Sequence, residues 1–228
     1  MWVFLGLSLI FFFFATGGCA YAFGPGVHLE LALKFLEKTA AFEGLLGLCF
    51  LYGNLVPDYF LSSGTLKKLF HNEETHLKLL TRAQSPGERA FAAGFGAHLK
   101  ADKVAHERLV PALKRRLELP ERLIHYYLEW TLERNRASKW YLLRGLLLWP
   151  AHQELDQFLI KALALDRYLF LTRKWVSLTS YRVFKIRRRR APTNLALLFE
   201  RCFQSAETRC LAEMATLIET PSGENRCG

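Results

Sequence analysis

Apolar residues recur at helical spacing in one segment after another, and this pattern constrains the fold of the 228-residue chain more than any other feature. Leucine, alanine and phenylalanine are abundant, whereas valine and isoleucine are sparse. This balance favours helices over strands. No segment alternates apolar and polar residues as a half-exposed strand would. The sequence therefore predicts an all-α fold, a single compact multi-helix domain.

The helical pattern is interrupted at residues that typically end or begin helices. Gly53 and Pro57 break the first helix, and Pro86 and Pro120 suit the first turns of later ones. An irregular link is expected between Pro57 and Leu66. The predicted helices cover residues 28–51, 71–83, 87–108, 121–136, 139–149, 152–174 and 194–218.

The first residues have the pattern of an export signal. Val3–Phe14 is an apolar run, and Ala20–Ala22 matches the A-x-A pattern of a cleavage site. The run is shorter than the roughly 20 apolar residues of a transmembrane helix. We expect a signal peptide over residues 1–22, and export of a mature chain beginning at Phe23 to the periplasm or the medium. An uncleaved signal anchor and lipidation at Cys19 remain open, and either would leave the protein membrane-anchored.

The cysteines are interpreted in the light of export. Removal of the signal would leave four of them in an oxidising compartment: Cys49, Cys202, Cys210 and Cys227. They contain no C-x-x-C motif and do not look like metal ligands. Three disulfide pairings are open, as is a fully reduced state.

The chain is basic, with a net charge of +10. Part of this charge lies in Lys185–Arg190, which includes the run Arg187–Arg190. A positive surface suits anionic lipid headgroups or nucleic acid, although such a run can equally be a solvated loop. We expect a helical domain over residues 23–180 and a basic C-terminal extension with one helix over 181–228.

The histidines occur in a pattern that indicates a metal site. His98, Asp102 and His106 are spaced i, i+4 and i+8, so that successive side chains turn by only about 40° and face one side of a helix. His125 and Glu129 form a second i, i+4 pair. Either motif alone is usually an ordinary surface pair. Imidazole and carboxylate are zinc ligands, and two such motifs on consecutive helices favour metal binding.

Three further motifs accompany these pairs: Phe23–His28 (FGPGVH), Gly53–Asp58 (GNLVPD) and His71–Asn72. In this order, the set resembles the zinc-dependent phospholipase C family, which shares its fold with the fungal single-strand-specific nucleases. The resemblance covers roughly residues 23–148.

The resemblance implies a helical bundle with three zinc ions in one cleft. It groups the ligands as His71, His98 and Asp102 for the first ion; Asp102, His28 and the backbone amine and carbonyl of Phe23 for the second; and His106, His125 and Glu129 for the third. Asp58 would lie beside the cluster and orient or deprotonate the attacking water. No organic cofactor is implied. His76, five positions after His71, is predicted to face elsewhere, and His152 has no assigned role.

The implied activity is hydrolysis of a phosphate ester, with phospholipid headgroups as the leading substrate and a membrane surface as partner. One alternative is a nuclease that binds phosphates on the basic surface and stacks bases on aromatic side chains. Another is a non-catalytic, membrane-associated zinc protein. The aromatic candidates Trp130, Trp140 and Tyr141 are expected to be core residues, because aromatic residues at helical spacing usually are. The sequence does not indicate the oligomeric state.

Overall fold

The computed structural model describes residues 23–60, 64–136, 139–186 and 193–219, and these contain helices and no strand. The predicted all-α fold is confirmed. In chain order the α-helices are α1 (Pro25–Thr39), α2 (Leu45–Leu55), α3 (Gly64–Phe70), α4 (Glu73–Arg82), α5 (Pro86–Val104), α6 (Val110–Leu117), α7 (Glu121–Asn135), α8 (Lys139–Leu148), α9 (His152–Leu163), α10 (Arg167–Ile186) and α11 (Thr193–Glu219). None of the described helices is both long enough and apolar enough to cross a bilayer. The predicted signal segment, the Arg187–Arg190 run and Cys227 lie outside the described residues.

Two of the predicted helices are each divided in two. The first ends at Thr39, because Ala40 has φ 47° and Gly44 has φ 55°, and these left-handed conformations cannot continue a right-handed helix. The predicted helix over 152–174 divides in the same way at Ala164, which has φ 52° and separates α9 from α10.

Two short helical segments of other types lie near the candidate site residues. A 3-10 helix, Val56–Phe60, occupies the predicted irregular link, and all five of its residues are buried. A π-helical turn, Ala105–Leu109, joins α5 to α6, so the predicted helix over 87–108 continues beyond Arg108. The wider π turn changes the direction of the side chains that follow α5, and His106 lies within it.

Helices α2 and α5 cross in close contact through two glycines. A Cβ atom on Gly53 would lie 2.0 Å from the main-chain oxygen of Phe91, and one on Gly94 would lie 1.9 Å from that of Phe50. Neither position has room for a side chain. The crossing places Asn54, next to Gly53, beside His98, one turn after Gly94.

The last helix, α11, packs against α1, α5 and α7. Two ion pairs hold it there: Lys34 Nζ lies 2.8 Å from Glu207 Oε1, and Arg136 Nη2 lies 2.9 Å from Glu200 Oε1. The buried Arg136 guanidinium also pairs with Glu30 on α1, at 2.9 Å. Most of the predicted C-terminal extension is therefore a helix packed on the core.

A buried polar group fixes α10 to the rest of the bundle. Lys174 on α10 donates hydrogen bonds to the hydroxyl of Tyr52 and to the carboxylate of Asp156, and Tyr52 donates to the same carboxylate. All three side chains are almost completely inaccessible to water. The adjacent Tyr59 lies in the 3-10 helix with Asp58, and α10 packs against that helix.

The described cysteines form no disulfide with one another. Cys49, Cys202 and Cys210 are free thiols. Cys210 is fully buried on α11, and burial raises the pKa of its thiol to about 12. It is therefore neutral at physiological pH and packs as a small apolar residue.

Candidate metal centre

Three predicted histidine ligands converge on the carboxylate of Asp102. Their Nε2 atoms approach it from three different parts of the chain. His28, from α1, lies 3.3 Å from Oδ1, and His98, one turn earlier on α5, lies 3.3 Å from Oδ2. His71, in the turn before α4, lies 3.7 Å from Oδ2. The predicted sharing of Asp102 between ligand groups is consistent with this arrangement.

Potential ligand atoms form two overlapping groups among the described residues. One atom from each of His28, His98 and Asp102 lies within 4.8 Å of the others, and the same holds for Asp58, His71 and His98. Asp58 Oδ1 lies 3.8 Å from His98 Nε2. Asp58 therefore stands among the atoms that could hold an ion, and not only beside them.

The unsatisfied polar atoms in this cluster match what a zinc site requires. Both ring nitrogens of His28, Nε2 of His98 and Oδ1 of Asp102 are buried and make no hydrogen bond within the described part of the chain. Buried polar atoms without partners are rare in folded proteins and call for an explanation. Here they converge on each other, and imidazole nitrogen and carboxylate oxygen are donors that zinc accepts. The residues thus fit zinc.

The electrostatics of the cluster favour the neutral forms of His71 and His98. Burial lowers the pKa of His71 to about 4. The pKa of His98 is also lowered, chiefly by burial and secondly by the neighbouring His28. Burial acts to raise the pKa of Asp102, but the His98 and His28 imidazoles outweigh it and hold the pKa well below its usual range. Neutral imidazole and ionised carboxylate are the protonation states in which these groups bind metal.

The pKa of Asp58 is shifted in the opposite direction to that of Asp102. Burial raises the pKa of its carboxyl well above the usual range, and the negative charges of Asp102, Glu129 and Glu133 raise it further. A carboxyl surrounded by other carboxylates holds a proton until a cation neutralises the site.

Two main-chain oxygens orient the imidazoles. His98 Nδ1 lies 2.9 Å from the oxygen of Asn54, and His71 Nδ1 lies 3.1 Å from that of Lys67. Each contact leaves Nε2 facing the cluster, which is the usual way in which a second hydrogen bond fixes a metal-binding tautomer. The amide side chain of Asn54 also donates to the oxygen of His28 at 3.0 Å and accepts from the backbone N–H of His98 at 3.1 Å. Sequence reasoning gave Asn54 no role, although its place in the motif Gly53–Asp58 was the available signal.

The start of α1 is held by Glu133, a second residue that sequence reasoning missed. Its carboxylate accepts hydrogen bonds from the backbone N–H groups of Gly26 at 3.0 Å and Val27 at 2.8 Å. Glu133 follows Glu129 by four residues and so shares its helical face. The ring of Phe23 is fully buried and packs edge-on against His28, with centroids 5.8 Å apart. The predicted ligand Phe23 therefore lies next to the cluster.

The third predicted ligand group is less tightly assembled. The rings of His106 and His125 have centroids 5.0 Å apart, but His106 is exposed and His125 Nε2 lies 3.6 Å from Glu121 Oε1. Glu129 is half-buried, and its charge acts on Asp58. Among the described residues, these three do not form a donor group within 4.8 Å. The third site stays a prediction.

Comparison with known proteins agrees with this site. Residues 33–190 match the family model described as zinc dependent phospholipase C. The chain belongs to this family. No curated protein and no solved structure matches the chain. The family match extends beyond the predicted resemblance at its C-terminal end, and it begins after Phe23 and His28.

The site of this zinc-dependent phospholipase C family member opens into a cavity of about 320 Å³. Its lining combines cluster residues with basic and small ones: Lys67, His71, Glu73, His76, Gly96, Leu99, Lys100, Asp102, Lys103 and His106. The prediction that His76 faces elsewhere is wrong, because α4 begins after His71 and its first turn points His76 into this cavity.

The other aromatic and histidine expectations have mixed outcomes. Tyr141 is 74% exposed, so the prediction that it belongs to the core is wrong. Trp130 is half-buried. His152 is half-buried and its Nδ1 contacts the oxygen of Trp149, at a distance from the cluster. The side chain of Trp140 lies outside the described residues.

Proposed function

We propose that this chain is an exported, zinc-dependent phosphodiesterase that cleaves phospholipids in the manner of a phospholipase C. Water would add to phosphorus and the bond from phosphorus to the glycerol oxygen would break. The observation that carries the proposal is the convergence of His28, His71 and His98 on the buried carboxylate of Asp102. The family match supports a hydrolase of this class.

In this proposal each predicted ligand keeps its role. His28, His71, His98 and Asp102 hold the central ions, and His106, His125 and Glu129 hold a further one. Bound zinc would neutralise the phosphate and lower the pKa of an attacking water. The ligand set contains no thiolate, which is typical of catalytic rather than structural zinc.

Asp58 is the residue that would handle the proton. Its carboxyl is fully buried and lies at the cluster, where it could accept a proton from an attacking water. Asp58 lies 3.8 Å from His98, close enough to orient a water at the cluster or to complete the ligand set itself. Replacement by Asn separates the two roles, because a base mutant keeps its zinc whereas a ligand mutant loses it.

Export and cleavage after residue 22 are part of the proposal. A mature chain starting at Phe23 would carry a free amine beside His28, where the buried Phe23 ring holds it. Glu133 fixes the following turn. Intact mass and N-terminal sequencing of the protein recovered from its producing cells test this step. A chain that retains residues 1–22 or carries lipid on Cys19 would contradict it.

Phospholipid is favoured over nucleic acid by the lining of the cavity. Proteins that bind single strands stack bases on aromatic rings. Apart from histidines, the described lining residues include no aromatic side chain. A non-catalytic role is disfavoured because the sequence retains every ligand residue of the predicted set, and a decayed site would be expected to have lost one.

The direct test combines zinc analysis with turnover. Purified mature protein is expected to contain close to three zinc ions per chain and to hydrolyse short-chain phospholipids. The substitution Asp102→Asn should lower the zinc content and abolish turnover, whereas the exposed control Glu154→Gln should change neither. A wild-type protein without zinc, or an Asp102→Asn variant with full turnover, would refute the proposal.

A further inference from the structure

More lysines than carboxylates line the cavity beside the metal cluster. Three lysines line it, Lys67, Lys100 and Lys103, from helices α3 and α5. Apart from Asp102, the lining contains one carboxylate, Glu73. Its side chain is 68% exposed and lies 3.5 Å from Lys100 Nζ, and such an exposed pair neutralises little charge. A substrate group in this cavity therefore meets an excess of positive charge.

A buried imidazole adds a polar contact to the same cavity. His76 is only 5% exposed, and its Nε2 makes no hydrogen bond to any described residue. A Cβ atom on Gly96 would lie 2.4 Å from this nitrogen. Gly96 therefore makes room for the ring. The ring lines the cavity while its Nε2 packs against Gly96, so a rotation of the ring would present to a ligand a nitrogen that has no partner among the described residues.

We propose that this cavity is the headgroup subsite. It selects anionic phospholipids whose headgroups contain no cationic group over those bearing choline or ethanolamine. The proposal deepens the proposed phospholipase function and rests on it. Cationic headgroups are recognised by aromatic rings or by carboxylates. The lining contains no aromatic ring apart from histidines and only two carboxylates, Asp102 and Glu73. Its three lysines would repel a quaternary ammonium and attract the negative charge of the phosphate and of an acidic headgroup.

Binding of two soluble phosphomonoesters tests the subsite without any turnover. Glycerol 1-phosphate and phosphocholine have the same phosphate, and only phosphocholine has a cation. Titration calorimetry of the zinc-loaded protein should give about tenfold tighter binding of glycerol 1-phosphate, as expected for one unfavourable charge contact in a partly screened site. Equal affinities, or tighter binding of phosphocholine, would overturn the proposal.

Charge reversal of one lysine locates the effect. Lys103→Glu should remove most of the preference for glycerol 1-phosphate. The matched control Lys38→Glu changes charge equally at an exposed position in the last turn of α1 that does not line the cavity. It should keep the preference. A loss of equal size in both variants would show a general charge effect and would overturn the assignment to this cavity.

His76 provides a second, independent measurement. His76→Gln should weaken the binding of glycerol 1-phosphate several-fold and leave the zinc content unchanged. Loss of zinc in this variant would make His76 a metal ligand and would overturn its role in the headgroup subsite. Gly96→Ala, which pushes the ring out of its place, should reproduce the His76→Gln binding defect. Normal binding by Gly96→Ala would contradict the proposed contact.

Turnover separates the failure of this proposal from that of the proposed function. Dihexanoyl phosphatidylglycerol should have a higher kcat/KM than dihexanoyl phosphatidylcholine. Equal kcat/KM for the two lipids would overturn the headgroup preference alone. Hydrolysis of neither lipid, with the binding preference intact, would overturn the phospholipase function but support an anion-selective cavity. Cleavage of a single-stranded oligothymidylate in place of either lipid would overturn both.

Discussion

The Nδ1 atom of His98 lies 2.9 Å from the main-chain oxygen of Asn54, and this contact joins the two helices that cross most closely in the protein's described part. It exists because Gly53 and Gly94 let α2 and α5 approach each other without intervening side chains. The helix crossing therefore determines where a predicted zinc ligand lies.

Gly94→Ala should disturb both the fold and the metal centre. The new Cβ would lie 1.9 Å from the main-chain oxygen of Phe50, so the helices must separate. We expect a loss of about 3 kcal/mol or more in the free energy of unfolding, measured by urea titration, and a reduced zinc content. Gly145→Ala is the control, because its Cβ meets no atom within 4 Å and should be neutral or slightly stabilising. Similar behaviour of both variants would contradict this account.

Phe203→Ala should loosen the start of the chain from the last helix. The Phe203 ring packs edge-on against Phe23 at 5.6 Å, with the Arg136 guanidinium 4.3 Å from its centre. Removing a fully buried phenylalanine costs about 3–5 kcal/mol. The variant should unfold at a lower temperature and bind less zinc than the wild type. Leu197→Ala, at a 52% exposed position of α11, should have little effect, and an equal loss in both variants would contradict the packing role of the Phe203 ring.

Lys174→Met should destabilise the protein by leaving Asp156 charged and buried. Lys174 is the cation that neutralises this carboxylate, which otherwise faces Tyr52 in an inaccessible region. Breaking a buried pair from one side typically costs about 3–5 kcal/mol. The double variant Lys174→Met, Asp156→Leu should recover part of this loss in urea unfolding, because no unpaired charge remains. A double variant less stable than Lys174→Met would contradict this explanation.

In the metal-free protein, the buried histidines should lower the stability as the pH falls below about 6.5. The native pKa of His71 is about 4, and those of His76 and His98 are also lowered, in each case chiefly by burial. The unfolded chain thus binds more protons between pH 6.5 and 4, so the stability contribution of these groups is complete above pH 6.5 and is lost across that window. Asp58, with its raised pKa, contributes in the opposite direction, so the contribution of His71 is measured as the difference between the wild type and His71→Gln.

Urea unfolding of the chelator-treated protein at pH 7.5 and pH 4.5 measures this effect. We expect His71 to contribute a decrease on the order of 3 kcal/mol at the lower pH. His71→Gln should lack that contribution, so its pH dependence should differ from that of the wild type. Equal pH dependence in the wild type and in His71→Gln would contradict the lowered pKa of His71.

The sequence alone determined what depends on neighbouring residues. Apolar spacing predicted the helices, because residues three and four apart share a helical face whatever the rest of the chain does. The same local geometry placed His98 beside Asp102. Helix ends were less predictable, since Ala40 and Ala164 adopt left-handed conformations that alanine rarely shows in isolation.

Only the tertiary structure decided which distant residues meet. His28 lies 74 positions before Asp102, and its approach depends on how α1 packs on α5. The direction of His76 depends on where α4 begins, and the π turn at His106 depends on packing that no periodicity reveals. The role of α11 in covering Phe23 depends on contacts between opposite ends of the chain. Such contacts are set by packing and charge pairing between helices, and a sequence pattern of a few residues does not encode them.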